Sequence, residues 1–274
     1  LSRSHYAKVA DSVISLWKDL GDCAGLEVFD AGAGEGDMSR ALLALGMKVT
    51  ASTIAREPHP SFPEAARLLT GVDLNQPWPI PDASVDGVNL KDVIEHLENP
   101  VHVIGEVARV LRPGGVLVLS TPNMLNASSR VRFAVTGFYE GRKRPASYAK
   151  GTGDAGNFYI PPLHLLHFLM ARRGLSIEKT ALGPPFVWNS LFFAVALYPV
   201  FWLGATLATS LVRRRSMLRR DNRKDVSDEE LRALQLKQRA VLARLRKLML
   251  GRDVLLGRDL IFRARLTGAS PFDV

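Results

Sequence analysis

The chain is predicted to adopt an α/β fold, with a mostly parallel sheet covered by helices on both faces. Two observations predict it. Short apolar runs alternate with helix-period segments through the first 120 residues, the signature of βαβ units. A Gly-rich turn, Asp30-Ala-Gly32-Ala-Gly34-Glu-Gly36, sits between the first such run and the following helix. Glycine permits tight turns and close approach of a ligand to the backbone, and α/β folds bind ligands at that edge of the sheet.

Tyr6, Val9, Val13, Leu16 and Trp17 recur at helical spacing and predict a helix over Leu1–Leu20. Leu26–Asp30 reads as the first strand, Met38–Leu45 as a helix ending at Gly46, and Met47–Ser52 as the second strand. Arg67–Asp73 and Val85–Leu90 read as strands three and four. Val101–Leu111 is a helix that the Arg112-Pro-Gly-Gly115 turn signal stops, and Val116–Thr121 is a fifth, strongly apolar strand. Asn123–Pro161 is loop-rich, followed by a helix over Leu163–Arg173 and a sixth strand over Leu175–Ala181.

The 274 residues carry a formal charge of +9, and the basic residues are concentrated. Arg213–Lys224 holds six Arg and one Lys against one Asp. Arg130–Lys150 holds Arg130, Arg132, Arg142, Lys143, Arg144 and Lys150 against Glu140. Solvated loops are the ordinary reading of such runs. Their place beside a long apolar segment points instead to anionic lipid headgroups. Basic residues without interleaved aromatics or a reading module argue against nucleic acid. The lone Cys23 forms no internal disulfide, which suits a reducing cytosolic compartment, and Leu1–Leu20 lacks a signal-peptide core.

Beyond the Gly-rich turn, three further motifs follow in order. These are Asp73-Leu74 before Pro77-Trp78-Pro79, Val85-Asp-Gly-Val88, and Lys91-Asp-Val-Ile-Glu-His96-Leu leading to Glu106-Val-Ala-Arg-Val-Leu-Arg-Pro-Gly-Gly115. With Val28–Gly36 they resemble class I S-adenosylmethionine-dependent methyltransferases, of the ubiquinone-biosynthesis type. The resemblance covers roughly residues 28–123 and implies a Rossmann-like, seven-stranded methyltransferase sheet that binds S-adenosyl-L-methionine. By that resemblance Asp30, Gly32 and Gly34 surround the methionine part of the cofactor, and Gly36 opens the next helix. Asp73 bonds the adenine amino group, Leu74 packs on the ring, and the backbone at Lys91 lines the pocket. Asp73 is equally the kind of residue that simply forms a turn.

One departure stands out. The family's second strand ends in an acidic residue holding both ribose hydroxyls, whereas Thr53, or Ser52, occupies that place here. A hydroxyl is a weaker partner than a carboxylate, so binding is expected to be looser unless Glu57 substitutes. For a hydroxyl acceptor a base is needed, and His96 is the leading candidate because its motif lies beside the pocket. His164 and His167, on one helical face, are expected to approach from the far side. Each of these histidines also has a purely structural reading. Without a Cys cluster or a His-rich set, no catalytic metal is expected.

Phe186–Val212 is 27 residues without a charge, long enough to cross a bilayer of about 20-residue span. A buried core helix or a dimer interface is the alternative, so homo-oligomerisation stays open. Arg258–Leu266 resembles the family's last strand, antiparallel beside the fifth, so the apolar segment lies between strands six and seven. Both ends then return to one domain, and Pro199 is expected to break the helix into a re-entrant dip. Ser227-Asp-Glu-Glu230 reads as a capping box opening a basic amphipathic helix that either lies on a membrane or packs on the domain. The division is therefore 1–183 methyltransferase domain, 184–225 apolar re-entrant insertion with basic flank, 226–251 amphipathic basic helix, and 252–274 returning strand. Ser120-Thr-Pro-Asn123, the basic lid and the insertion together resemble methyltransferases of bacterial surface-polysaccharide and glycolipid clusters. That implies a membrane-associated enzyme, at the cytosolic face, acting on an anionic, lipid-linked or amphiphilic acceptor, a sugar hydroxyl foremost. A quinone or polyprenyl phenol is the alternative acceptor, and a catalytically weak cofactor-binding scaffold the alternative to an enzyme.

Overall fold

A computed structural model describes residues 3–137, 160–183, 188–218 and 240–268. The Ser227–Glu230 capping box and the basic residues Arg142–Lys150 and Arg219–Lys224 lie outside the described residues.

In chain order the elements are α1 (Arg3–Lys18), β1 (Glu27–Asp30), α2 (Asp37–Leu43), β2 (Lys48–Ser52), β3 (Arg67–Leu69), β4 (Val85–Lys91), α3 (Pro100–Val110) and β5 (Leu111–Pro122). There follow α4 (Ala127–Thr136), α5 (Leu163–Arg172), β6 (Leu175–Leu182), α6 (Trp188–Leu218), α7 (Arg252–Leu256) and β7 (Asp259–Leu266), with residues 240–249 helical before α7. The sheet order is β3-β2-β1-β4-β5-β7-β6, parallel except for β7, which runs antiparallel between β5 and β6. The Rossmann-like seven-stranded sheet and its returning strand are as expected.

Each face of the sheet carries its own apolar layer. On one, Val9, Val13 and Trp17 of α1 and Met38 and Leu42 of α2 cover Val28, Val49, Val116 and Val118. On the other, Val103, Ile104 and Val107 of α3 and Leu166 and Met170 of α5 cover Phe29, Leu90, Leu117 and Phe262. Strands buried on both faces need apolar residues in both registers, which explains the near-continuous hydrophobic run of β5. Arg263 secures β7 beneath α1: it donates to Leu16 O at 2.9 Å and pairs with Asp19 at 3.3 Å and Glu178 at 3.2 Å.

Three expectations are corrected. Arg112–Gly115 does not separate α3 from the strand; it is folded into β5 as an irregularity, where the pairing steps from Val85↔Leu111 to Gly87↔Val116. Extra residues can bulge from one strand while the ladder resumes beyond them. Strand β3 is three residues long and stops before Asp73, since the chain there turns to form a ligand-facing loop. Finally, α6 runs through Pro199 as one helix, so the re-entrant bend is not formed. A proline inside a helix forfeits one backbone bond and bends the axis without having to end it. No helix among the described residues is long and apolar enough to cross a membrane.

The segment 240–250 packs on the domain: Leu248 and Met249 join the α3/α5 core layer, and Arg244 donates to Ile177 O on β6. Against the inner face of α6, Ala194, Phe193 and Phe201 meet Ala127 of α4 and Leu255 and Leu256 of α7. Arg130 stacks 5.2 Å over the Phe201 ring and donates to Met249 O at 2.6 Å, linking α4, α6 and the last helical residues.

Gly87 in β4 lies under α1, where an added Cβ would stand 2.5 Å from Cη2 of the buried Trp17. Gly87→Ala is expected to destabilise the domain by about 1–3 kcal/mol through overpacking. A lowered urea midpoint with an unchanged m-value is the expected reading; an unchanged midpoint contradicts this packing.

Candidate active site

The turn after β1 is stitched to both neighbouring strands. Ala31 N donates to Asn89 O at 3.0 Å, Ala33 N to Ser52 O at 2.8 Å, and Gly32 N to Ser52 Oγ at 3.2 Å. Beneath it, Asp30 is buried and both its carboxylate oxygens are engaged: Ser39 Oγ donates at 2.6 Å and Asn89 Nδ2 at 2.8 Å. Trp17 Nε1 donates in turn to Asn89 Oδ1 at 3.2 Å. Burial raises the Asp30 carboxyl above its usual range, against the pull of those two donors. Asp30 therefore anchors the turn from below and does not line the cleft.

That cleft, about 430 Å³, opens at the carboxyl ends of β1 to β4. Its lining combines Gly32, Gly34, Thr53, Asp73, Leu74 and His96 from the sequence reading with Ile54, Val72, Asn75, Asp92, Val93 and Leu97. Gly34 has φ +53° and open space where a Cβ would stand, so the cleft reaches the bare backbone there. Gly36 has a different reason. It is buried at φ +84°, and a Cβ would strike Pro63 Cδ at 2.6 Å and Phe62 Cδ2 at 2.8 Å. It caps α2 and lies outside the cleft lining, a role set by the Phe62-Pro63 loop.

Thr53, just past the end of β2, faces the cleft, while Ser52 is buried under the Gly-rich turn. Thr53 Oγ1 also accepts from Ala55 N at 3.2 Å. Glu57 is exposed and outside the lining. Asp73 forms a turn and also lines the cleft. Its Oδ1 accepts from Asn75 N at 2.9 Å and Asn75 Nδ2 at 3.1 Å, forming an Asx turn, and the residue still lines the cleft beside Leu74.

Lys91 is displaced from its expected place. Its ammonium pairs with Asp92 Oδ2 at 2.8 Å, and Asp92 and Val93 take the lining position. Asp92 has φ +54°, an uncommon conformation for a residue other than glycine and one that Asp tolerates better than most. Ser120 holds it there: its Oγ donates to Asp92 Oδ1 at 2.7 Å, and its carbonyl accepts Asp92 N at 3.1 Å. Next to it, Thr121 donates to Glu95 Oε2 at 3.0 Å. Asn123 Nδ2 bonds Val254 O and Gly257 O, each at 2.7 Å, fixing the approach to β7. Ser120-Thr-Pro-Asn123 thus braces three neighbouring segments.

Two further carboxyl groups, Glu95 and Asp259, lie near Asp92. Burial, with Asp92 and Asp259 nearby, pushes Glu95 up to about 8. Burial, with Asp92 nearby, pushes Asp259 up to about 7, against the pull of Arg258 and Lys91. His96 sits exposed at the rim, on a single turn of 3₁₀ helix over Ile94–His96. His164 and His167 are not brought to the cleft. His164 is exposed on α5, and His167 is half-buried, its imidazole held below its usual range by burial and then by Arg244. Helical spacing placed the two on one side of α5, but that helix packs on α3 and β6, away from the cleft lining.

Comparison with known proteins matches residues 29–119 to the methyltransferase domain family. An uncharacterized methyltransferase of Mycolicibacterium vanbaalenii is 31% identical over 188 residues, 62% of this chain and 69% of that protein. A probable S-adenosylmethionine-dependent methyltransferase of Mycolicibacterium smegmatis is 37% identical over 113 residues, 39% of this chain and 42% of that one, so the chain spans less than half of it. A ubiquinone biosynthesis O-methyltransferase of Xanthomonas axonopodis pv. citri is 34% identical over 169 residues, 58% of this chain and 66% of that one. In fold, a Burkholderia thailandensis 1,6-didemethyltoxoflavin-N1-methyltransferase superposes with a TM-score of 0.51 at 14% identity, covering 96% of this chain and 80% of that one. The chain belongs to the S-adenosylmethionine-dependent methyltransferases, and its cofactor is S-adenosyl-L-methionine. The cleft fits that group: bare backbone at Gly34, a hydroxyl at Thr53, a carboxylate at Asp73, and apolar walls at Ile54, Val72 and Leu74.

Two outcomes are expected. Asp73→Asn keeps an oxygen for the Asx turn but removes the charge. Calorimetry should show cofactor affinity about 10-fold lower, as for loss of a hydrogen bond to a charged group, with the unfolding midpoint unchanged. Equal affinity contradicts a role for the Asp73 carboxylate. Glu95 binds a proton in the folded chain up to about pH 8, whereas unfolded Glu loses it near 4.3. The folded state thus holds the extra proton across that window, so its contribution falls as pH rises from about 4.5 to 8. Glu95→Gln should flatten this decline in urea-unfolding free energy; an identical pH slope in the variant contradicts the buried, protonated Glu95.

Proposed function

We propose that the protein transfers a methyl group from S-adenosylmethionine to a hydroxyl of a lipid-linked or amphiphilic acceptor, a sugar hydroxyl foremost. The observation that carries this reading is positional. Helix α6, apolar on its outer side as well as its inner one, docks on α4 and α7, and those helices flank the Pro122↔Asp259 pairing at the carboxyl edge. The cleft opens on the same edge. An amphiphilic acceptor has an apolar surface to lie against and a polar cleft to enter.

Within this reading the backbone at Gly32 and Gly34 receives the methionine part, Thr53 the ribose and Asp73 the adenine amino group, with Leu74 against the ring. Asp30, Gly36 and Lys91 act indirectly, by fixing the turn, the start of α2 and the Asp92 carboxylate. S-adenosylmethionine supplies an electrophilic methyl group. The chain's own task is to hold an acceptor oxygen in line with that group and to take the proton the acceptor loses. His96 accepts that proton, because it is the imidazole in the lining and stands at the solvent-facing rim. The site operates at the cytosolic face of a membrane, where the cofactor is available.

The named relative in ubiquinone biosynthesis favours a second acceptor, a quinone-type phenol, which the same cleft and base would serve. A scaffold that binds cofactor without turnover is the reading to exclude. Labelled methyl from the cofactor should enter a lipid extract, and His96→Ala should lower the rate by about 10²-fold or more with cofactor affinity within twofold. Full turnover in that variant removes His96 as the base. Tight cofactor binding with no transfer to any native extract would favour the scaffold.

A further inference from the structure

Helix α6 carries an apolar surface much wider than its packing uses. Its inner side is spent on α4 and α7. Outward, Leu191, Val195, Tyr198 and Trp202 recur at intervals of four, three and four residues, and Phe192 and Leu203 widen the stripe. Val195 is 72% exposed and Phe192 67%, so the core does not claim them. At about 100° per residue the exposed apolar positions take up roughly half of the helix circumference. Contiguous apolar surface of this kind on a folded domain marks an interaction site.

We propose that this outer face of α6 is a docking surface for an anionic lipid bilayer, on which the helix lies parallel to the membrane plane. Three features select lipid over a second protein. The stripe has no charged residue, and Arg213, Arg214 and Arg215 follow it in the sequence of the same helix, a cationic run that suits an anionic surface. The chain as a whole is at +9, and basic residues are attracted to an anionic surface. Tyr198 and Trp202 combine an apolar ring with a polar atom, the side chains that favour the headgroup boundary. No described helix is long and apolar enough to cross; an apolar face with a cationic end is the pattern of a helix lying in the interface.

This docking fixes an orientation. Because α6 rests on α4 and α7 beside the Pro122↔Asp259 end of the sheet, the carboxyl edge and its cleft stand next to the bilayer. The inference deepens the amphiphilic-acceptor reading and rests on it for its purpose, since the cleft then meets acceptors held in the membrane.

The test uses the full chain and vesicles of phosphatidylglycerol and phosphatidylcholine. Wild type should float with them, less so with phosphatidylcholine alone. The combined variant Phe192→Ser, Val195→Ser, Leu203→Ser alters exposed positions only. It should bind vesicles at least about 10-fold more weakly while keeping its affinity for S-adenosylmethionine, which certifies its fold. In a Trp188→Phe background, brominated lipids should quench the fluorescence, and adding Trp202→Phe should remove most of that quenching, because Trp17 and Trp78 are buried. Wild-type flotation of the combined variant overturns the proposal. So does a wild-type dimer in sedimentation that the variant converts to monomer while neither floats. Methyl transfer to detergent-dispersed lipid extract separates the two readings. Transfer without flotation sinks the docking alone, and flotation without any transfer sinks the acceptor reading alone.

Discussion

The site depends on one buried carboxylate. Asp30 ends β1 in a place with almost no water, and a carboxylate there is tolerable only if its oxygens are bonded. Ser39 of α2 and Asn89 of β4 supply those bonds, and Trp17 of α1 orients Asn89. Helices α1 and α2 and strand β4 are thereby tied to the residue from which the Gly-rich turn departs. The turn needs such a base, since its own glycines contribute backbone freedom and no side-chain packing. Removing one partner would leave a buried charge or donor unsatisfied, which costs more than the bond itself contributes.

On the opposite side of the cleft the same logic uses different residues. Asp92 is held in its uncommon conformation by Ser120, Glu95 is capped by Thr121, and Asn123 grips the chain just before β7. Strand β5 thus acts through its last residues on both β4 and β7. Asp92, Glu95 and Asp259 gather at this junction, and mutual repulsion adds to burial in keeping the latter two protonated near neutral pH. The returning strand therefore completes the sheet and also shapes the electrostatics behind the site.

Much of this was legible in the residues, because periodicity reports burial directly. Six strands and their alternation with helices followed from apolar runs, whereas the return of β7 came from the family resemblance of Arg258–Leu266. Gly32, Gly34, Thr53, Asp73, Leu74 and His96 reached the cleft because each follows a strand at the carboxyl edge, a position that chain order alone determines. The misses have a common cause in contacts distant along the chain. Asp30 answers to Asn89, and Lys91 to Asp92, which Ser120 of β5 holds in place, whereas Gly36 opens α2 as expected. His164 and His167 were correctly paired on one helix face, but spacing does not say which end of the sheet that face meets. Pro199 and Arg112–Gly115 read locally as breaks, and the surrounding helix and ladder absorbed both.

The central claim is that S-adenosylmethionine sits across the carboxyl ends of β1 to β4. Hydrogen exchange followed by mass spectrometry, with and without the cofactor, tests it without any substitution. Slowed exchange is predicted in peptides covering residues 32–36, 53–55, 71–76 and 92–97, with no change over α5. Saturating cofactor that leaves those four segments unprotected, or protects α5 in their place, would contradict the account.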